Sequence, residues 1–158
     1  MGEQFSDLFD GDRASDFAEV LRRYSARGVL ATAPISGLSD SQLFAVELDQ
    51  GVRLPAEYER FLRFMGLEAG GLFGAEVILF PDILGIKSRA RDMVAEFGID
   101  VDLSDALVFA SHQGYMYFYM NPEDGVGNPP IFCVAESQSI PDFTANSFTE
   151  FIYDFSLS

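Results

Sequence analysis

The sequence lacks tryptophan, contains one cysteine and one histidine, and has no lysine or arginine after Arg91. The single cysteine, Cys133, excludes an intrachain disulfide and is typical of a reducing compartment. So few soft ligands argue against a zinc site, and no metal or cofactor is predicted. No apolar run is long enough to cross a bilayer, and the first residues do not resemble a signal peptide. We therefore expect a cytoplasmic protein.

The missing basic residues leave the last part of the chain with acidic charge alone. Within a formal net charge of −15, the acidic residues after Arg91 are Asp92, Glu96, Asp100, Asp102, Asp105, Glu123, Asp124, Glu136, Asp142, Glu150 and Asp154. Such a surface repels nucleic acid and anionic membrane, so neither is an expected partner. It attracts a basic protein, because complementary charge speeds encounter. The alternative is that the charge serves solubility only.

The residues that are present are typical of one globular domain. The chain has 158 residues, of which 48% are apolar and 22% charged, and its 16 phenylalanines can fill a core without polar partners. We predict a single domain over residues 1–158, with residues 1–10 disordered. The sequence leaves the oligomeric state open.

Helices are predicted where apolar residues recur at helical spacing. Phe17, Val20, Leu21 and Tyr24, for example, share one face. Ser39 with Gln42, and Ser147 with Glu150, have the spacing of a capping box. Pro55 is suited to the first helical position. The predicted helices cover residues 12–26, 39–51, 55–65 and 87–97, with a last one from residue 147.

Strands are predicted at residues 76–80, 106–110, 115–120 and 131–135, which are short runs rich in aromatic and β-branched residues. The last three follow one another without a crossover helix, which favours antiparallel pairing. The fold class is therefore α+β, with an antiparallel sheet of about four to six strands packed against several helices.

An ordered set of segments resembles a known family. Residues 54–62, Leu-Pro-Ala-Glu-Tyr-Glu-Arg-Phe-Leu, resemble the "LP-x-x-Y-x-x-F-L" helix of the SUKH superfamily, the Smi/Knr-like group. Residues 106–115 resemble its strand–turn–strand, residues 130–132 its following strand, and residues 147–152 its closing helix. The resemblance covers roughly residue 39 to the end.

The resemblance implies a SUKH-like fold and a function without catalysis. Bacterial members imply an immunity protein that binds and neutralises a cognate toxin, often a nuclease. Fungal relatives imply the alternative, a scaffold or regulatory module that binds other proteins. The family's motif residues are mostly packing residues, so the resemblance predicts the fold better than the site.

The candidate partner-binding residues come from the acidic part of the chain. They are Tyr115, Tyr117, Tyr119, Glu123, Asp124, Glu136 and Asp142. The three tyrosines alternate along a predicted strand and so share one face. That face is either exposed, where tyrosine favours binding, or buried in the core. Residues 121–130 form either an acidic loop for the partner, a calcium loop, or a plain turn.

Two catalytic alternatives remain open on the sequence. Cys133 and His112 are the residue types of a thiol hydrolase, although Cys133 lies in an apolar segment where a small core residue is expected. The carboxylate pairs Glu57/Glu59 and Asp100/Asp102 are compatible with acid–base chemistry. Both pairs are expected to be solvated, so a charged surface is the better interpretation.

Overall fold

The computed structural model describes residues 15–28 and 33–156. Within them the helices are α1 Asp16–Ala26, α2 Asp40–Gln50, α3 Ala56–Met65, α4 Ile86–Phe97 and α5 Phe148–Phe155. The strands are β1 Ile35–Ser36, β2 Glu68–Ala69, β3 Leu107–His112, β4 Met116–Met120, β5 Ile131–Ala135 and β6 Asp142–Ala145. The predicted α+β class is confirmed. The predicted disorder of residues 1–10, and the first helix's predicted start at residue 12, lie outside the described residues.

Serine side chains cap the first turns of α1, α2 and α5. At α2 the Ser39 hydroxyl accepts from the Gln42 N–H, and the Gln42 side chain accepts from the Ser39 N–H, which confirms the predicted capping box. At α5 the Ser147 hydroxyl accepts from the Glu150 N–H at 3.2 Å, but the Glu150 side chain accepts from the Asn146 N–H and not from that of Ser147, so the second predicted capping box forms only in part. One expectation was wrong in detail, because Pro55 is the residue before the helix and not its first residue.

The four long strands form one antiparallel sheet in the order β3-β4-β5-β6, while β1 and β2 pair separately. The predicted strand at residues 76–80 is wrong. Within that segment Val77 alone pairs with β3, at Ser111. The Phe80 N–H instead donates to the Gly66 carbonyl at 2.8 Å, so the segment turns away from the sheet.

Three strands have no counterpart in the sequence prediction. The strands β1 and β2 have two residues each, which is too short for any periodicity. Strand β6 is an edge strand whose first three residues are exposed. It therefore lacks the alternation that a half-buried strand shows.

The core is an aromatic cluster between α3, β3 and α5. The Phe148 ring lies 5.3 Å from that of Tyr58, 5.4 Å from that of Phe109 and 5.7 Å from that of Phe61, all edge-on. Edge-to-face contact is a preferred geometry for such rings. Helix α1 adds Phe17, 6.1 Å from Phe61. Phenylalanine thus fills the interior that this tryptophan-free chain has to pack.

The only lysine is buried and joins two distant segments. Lys87 Nζ donates to the Gln50 carbonyl at 2.7 Å and to the Ser104 carbonyl at 2.8 Å. Burial, with a smaller contribution from Arg91, lowers the pKa of this ammonium. The contacts connect α2, α4 and the segment before β3 on one side of the sheet.

Candidate partner-binding surface

Five of the seven predicted partner-binding residues lie at the two ends of the four-stranded sheet, and the other two, Tyr117 and Tyr119, lie within β4. Since β3, β4, β5 and β6 are antiparallel, the β3–β4 turn and the β5–β6 connection meet at one end, called here the hairpin end. It carries Tyr115, Glu136 and Asp142. Glu123 and Asp124 lie in the β4–β5 loop at the opposite end, called here the loop end. Strand β4 separates the two by about 16 Å.

Strand β4 buries two of the three candidate tyrosines. Tyr117 and Tyr119 are buried, whereas Tyr115 at the turn is 38% exposed. The exposed-face alternative is therefore wrong for Tyr117 and Tyr119, because the central strand of this sheet is covered on both faces. Only the Tyr115 ring is available to a partner.

The hairpin end combines acidic and apolar side chains on its surface. Ile140 and Phe143 are each 59% exposed. Asp142 lies between them in the chain, and Glu136, also exposed, begins the same β5–β6 connection. We call Tyr115, Glu136, Ile140, Asp142 and Phe143 the β6-edge surface. Ile140 and Phe143 had no signal in the sequence beyond their proximity to these acids.

An aromatic row crosses the sheet and ends at this surface. The Tyr119 and Phe132 rings are stacked at 5.7 Å, and the Phe132 and Phe143 rings are edge-on at 6.0 Å. The three residues occupy neighbouring positions on β4, β5 and β6. Exposure increases along the row, from buried Tyr119 to half-buried Phe132 and exposed Phe143.

The two edges of the sheet differ. On β3, Gln50 Nε2 donates to the Val108 carbonyl at 2.6 Å, and Gln50 Oε1 accepts from the Val108 N–H at 3.0 Å. Val77 pairs with Ser111 on the same strand. The β3 edge is therefore covered. In the part of the chain that the structure describes, β6 pairs with β5 alone.

Residues 37–154 match the family model described as the SMI1 / KNR4 family (SUKH-1). The chain belongs to this family. The comparison with curated proteins returns no match. The match includes all of α2 to β6, the aromatic core and the β6-edge surface, so the resemblance of residues 54–62 and 147–152 is confirmed.

The SUKH-1 motif residues build the core, as the resemblance implied. Leu54, Tyr58, Phe61 and Leu62 on the first motif are buried, as is Phe151 on the closing helix. Helix α1 lies outside the matched residues. Its Tyr24 hydroxyl nevertheless donates to the Ile152 carbonyl at 3.0 Å. Burial raises the pKa of Tyr24 to about 12.

The loop end of this SUKH-1 domain is held by one amide side chain. Asn128 Nδ2 donates to Asp16 Oδ2 and to Thr149 Oγ1, both at 2.8 Å. Its Oδ1 accepts from the Thr149 N–H at 3.1 Å. Beside it, α1, the loop and α5 enclose a cleft of about 620 Å³ whose acidic lining includes Glu19 and Glu150. Within residues 15–28 and 33–156, no three His, Cys, Asp or Glu side chains form a metal-binding group.

The two residues of the thiol-hydrolase alternative, Cys133 and His112, lie on different strands. Cys133 lies on β5 and His112 on β3, so β4 separates them by at least about 9 Å. Burial raises the pKa of the Cys133 thiol, which disfavours the reactive thiolate. His112 Nδ1 instead lies 2.6 Å from Glu76 Oε1. The structure therefore does not assemble the thiol–imidazole pair.

The first carboxylate pair contains one buried member. Glu57, expected to be solvated, is 5% exposed. Its Oε1 accepts from the Asp16 N–H at 2.9 Å, and its Oε2 accepts from Arg60 at 2.9 Å. That expectation was wrong because the first turns of α1 and α3 meet, which the local sequence does not reveal. Glu57 holds α1 on the domain.

Among the helices in the described ranges, none is long and apolar enough to cross a membrane.

Proposed function

We propose that this chain is an immunity-type inhibitor, which binds a basic protein toxin in the cytoplasm and blocks it without catalysis. The observation that carries the proposal is that the acidic residues after Arg91 are exposed and lack ion pairs with other described residues. All of them, from Asp92 to Asp154, are exposed. None forms an ion pair with another described residue.

The earlier part of the chain contrasts with this. There Arg63 pairs with Asp40 at 2.8 Å and with Glu59 at 3.2 Å, and Arg60 pairs with Glu57. Residues 1–91 contain 14 acidic and 10 basic residues, whereas the residues after Arg91 contain 11 acidic residues and no lysine or arginine. Most of the unbalanced charge, −11 of the net −15, therefore belongs to the part that includes the main sheet and α5. A basic partner provides the missing counter-charge and is attracted over about a Debye length, about 8 Å at physiological salt.

The β6-edge surface is the docking site that the geometry supports best. Charge alone steers encounter and contributes little to lasting affinity. Affinity comes mainly from apolar and aromatic side chains that become buried on binding. At the hairpin end, Ile140 and Phe143 supply such side chains next to Glu136 and Asp142. A toxin bound there through its basic substrate cleft, as in a nuclease, has that cleft occluded.

A co-expression experiment tests the function. The product of the gene directly upstream, or its C-terminal domain, is expressed alone and together with this chain, and surviving cells are counted. We expect toxicity alone, rescue with the chain, and co-purification of the two proteins. An unrelated acidic protein of similar size is the control for charge without the fold. A product that is harmless, or a toxicity that the chain does not relieve, contradicts the proposal.

One observation favours the alternative of a scaffold or regulatory module. Helix α2 exposes Phe44 and Leu48, an i,i+4 apolar pair, beside a depression of about 380 Å³ that Val52 also lines. Helix α2 lies at the β3 side of the sheet, where Gln50 contacts Val108, and thus opposite the β6 edge. Two separate apolar surfaces suit a module that holds two proteins at once.

A further inference from the structure

We infer that the free edge of β6 binds an extended, basic strand of the partner protein, which adds a fifth strand to the main sheet. The inference deepens the proposed function, on which it rests, by specifying how the toxin is held. The added strand carries an apolar or aromatic residue beside Phe143 and lysine or arginine residues near Glu136 and Asp142.

The first argument is the difference between the two sheet edges. An unpaired edge offers backbone N–H and C=O groups to any strand that approaches it. This chain uses Gln50 and Val77 to cover the β3 edge at Val108 and Ser111. At β6 the outer edge has no pairing strand among the described residues, and Asp142, Phe143 and Thr144 are exposed.

The second argument is the aromatic row. Tyr119, Phe132 and Phe143 lie side by side on three successive strands, and the row stops at the exposed Phe143 ring. Cross-strand neighbours are the pairs that stabilise a sheet. A residue on an added strand extends the row by one position and buries the Phe143 ring. Strand addition thus combines backbone hydrogen bonds with a specific side-chain contact.

The third argument is charge, which selects a basic strand over a second copy of this chain. A second copy brings Glu136 and Asp142 of both chains to one junction, on a protein whose net charge is −15. Like charges facing one another across strands are destabilising. Strand β6 is also short and follows Pro141, features that limit indiscriminate edge pairing. A strand with lysine or arginine meets attraction in place of this repulsion.

The test uses a synthetic peptide of alternating lysine and valine with phenylalanine at its centre, titrated into isotope-labelled protein and followed by NMR. We expect amide shift changes confined to β6 and the β5–β6 connection. Phe143→Ser should weaken binding at least tenfold. The matched control Phe97→Ser, which changes a phenylalanine that is 45% exposed at the end of α4, should leave binding unchanged. A peptide with glutamate in place of lysine should not bind.

Several outcomes overturn the inference. These are no binding of the lysine peptide, binding mapped to α2 or the loop end, equal binding of the glutamate peptide, or a wild-type affinity for Phe143→Ser. A dimer that Phe143→Ser dissociates assigns the edge to a second copy. Because the titration contains no toxin, its failure is separate from a failure of rescue in the co-expression experiment.

Discussion

Tyr24 and Tyr58 are two fully buried tyrosines that differ in one respect, the partner of the hydroxyl group. The Tyr24 hydroxyl lies 3.0 Å from both the Ile152 carbonyl oxygen and Ser156 Oγ. The Tyr58 hydroxyl has no hydrogen-bond partner among the described residues, and burial raises the pKa of Tyr58. A buried polar group without a partner costs desolvation that nothing offsets. The Tyr58 ring therefore stabilises the core, while its hydroxyl lowers the stability of the fold.

Because only the Tyr24 hydroxyl has a partner among the described residues, a tyrosine-to-phenylalanine substitution should destabilise the fold at position 24 but not at position 58. Tyr58→Phe removes an unpaired hydroxyl and should leave the free energy of unfolding unchanged or raise it by up to about 1 kcal/mol. Tyr24→Phe removes a hydroxyl that bonds to α5 and should lower it by about 1 kcal/mol. Urea unfolding of both variants beside the wild type measures this. A loss of more than about 1 kcal/mol in Tyr58→Phe would show that its hydroxyl has a partner in solution.

At the scale of elements, the outer edge of strand β3 is covered by a side chain, which makes the backbone hydrogen bonds that a neighbouring strand would otherwise make. The Gln50 amide bonds to both backbone groups of Val108, which lies 58 residues further along the chain. The Gln50 carbonyl in turn accepts from Lys87. The end of α2, the start of α4 and the edge of β3 are thereby joined. The opposite edge, β6, has no equivalent residue among those described.

Substitution of Gln50 should weaken the fold and uncover this edge. Gln50→Ala leaves both backbone groups of Val108 without their partner and should cost about 1–3 kcal/mol. Gln50→Glu keeps the acceptor but replaces the donor by a second oxygen facing the Val108 carbonyl, so its cost should be at least as large at neutral pH. Thermal or urea unfolding measures the cost, and hydrogen exchange at Val108 reports the edge. Full protection of the Val108 amide in Gln50→Ala would contradict the assignment.

At the scale of the whole molecule, the acidic candidates form two separate groups. The hairpin end carries Glu136 and Asp142, and the loop end carries Glu123 and Asp124, with β4 between them. Long-range steering depends on the total charge, while dissociation depends on contacts within the interface. The two pairs therefore allow steering and docking to be separated by experiment.

The two double charge reversals should slow toxin association equally but should have different effects on the dissociation rate. Glu136→Lys with Asp142→Lys, and Glu123→Lys with Asp124→Lys, change the net charge equally. Both should slow toxin association several-fold and make it less salt-sensitive, while the hairpin-end pair alone should raise the dissociation rate at least tenfold. Binding kinetics at two salt concentrations measure this, and equal urea midpoints show that both variants are folded. A faster dissociation of the loop-end pair alone would place the toxin at the loop end.

Local patterns in the sequence determined the α+β class, the positions of the helices, the caps at Ser39 and Ser147, and β5. These features depend on neighbours within a few residues, so periodicity and capping residues predict them. The SUKH-1 motif of residues 54–62 is equally local, and its residues pack as the resemblance implied.

Only the tertiary structure decided which side chains a partner can reach. Burial of Tyr117 and Tyr119, the pairing of Glu57 with α1, and the cover that Gln50 provides for β3 all depend on segments distant in the chain. The same holds for the aromatic row that ends at Phe143, since three strands have to pair before its rings meet. Burial and edge pairing are properties of the assembled sheet. For that reason, five of the seven predicted site residues divide between its two ends and the other two, Tyr117 and Tyr119, are buried within β4.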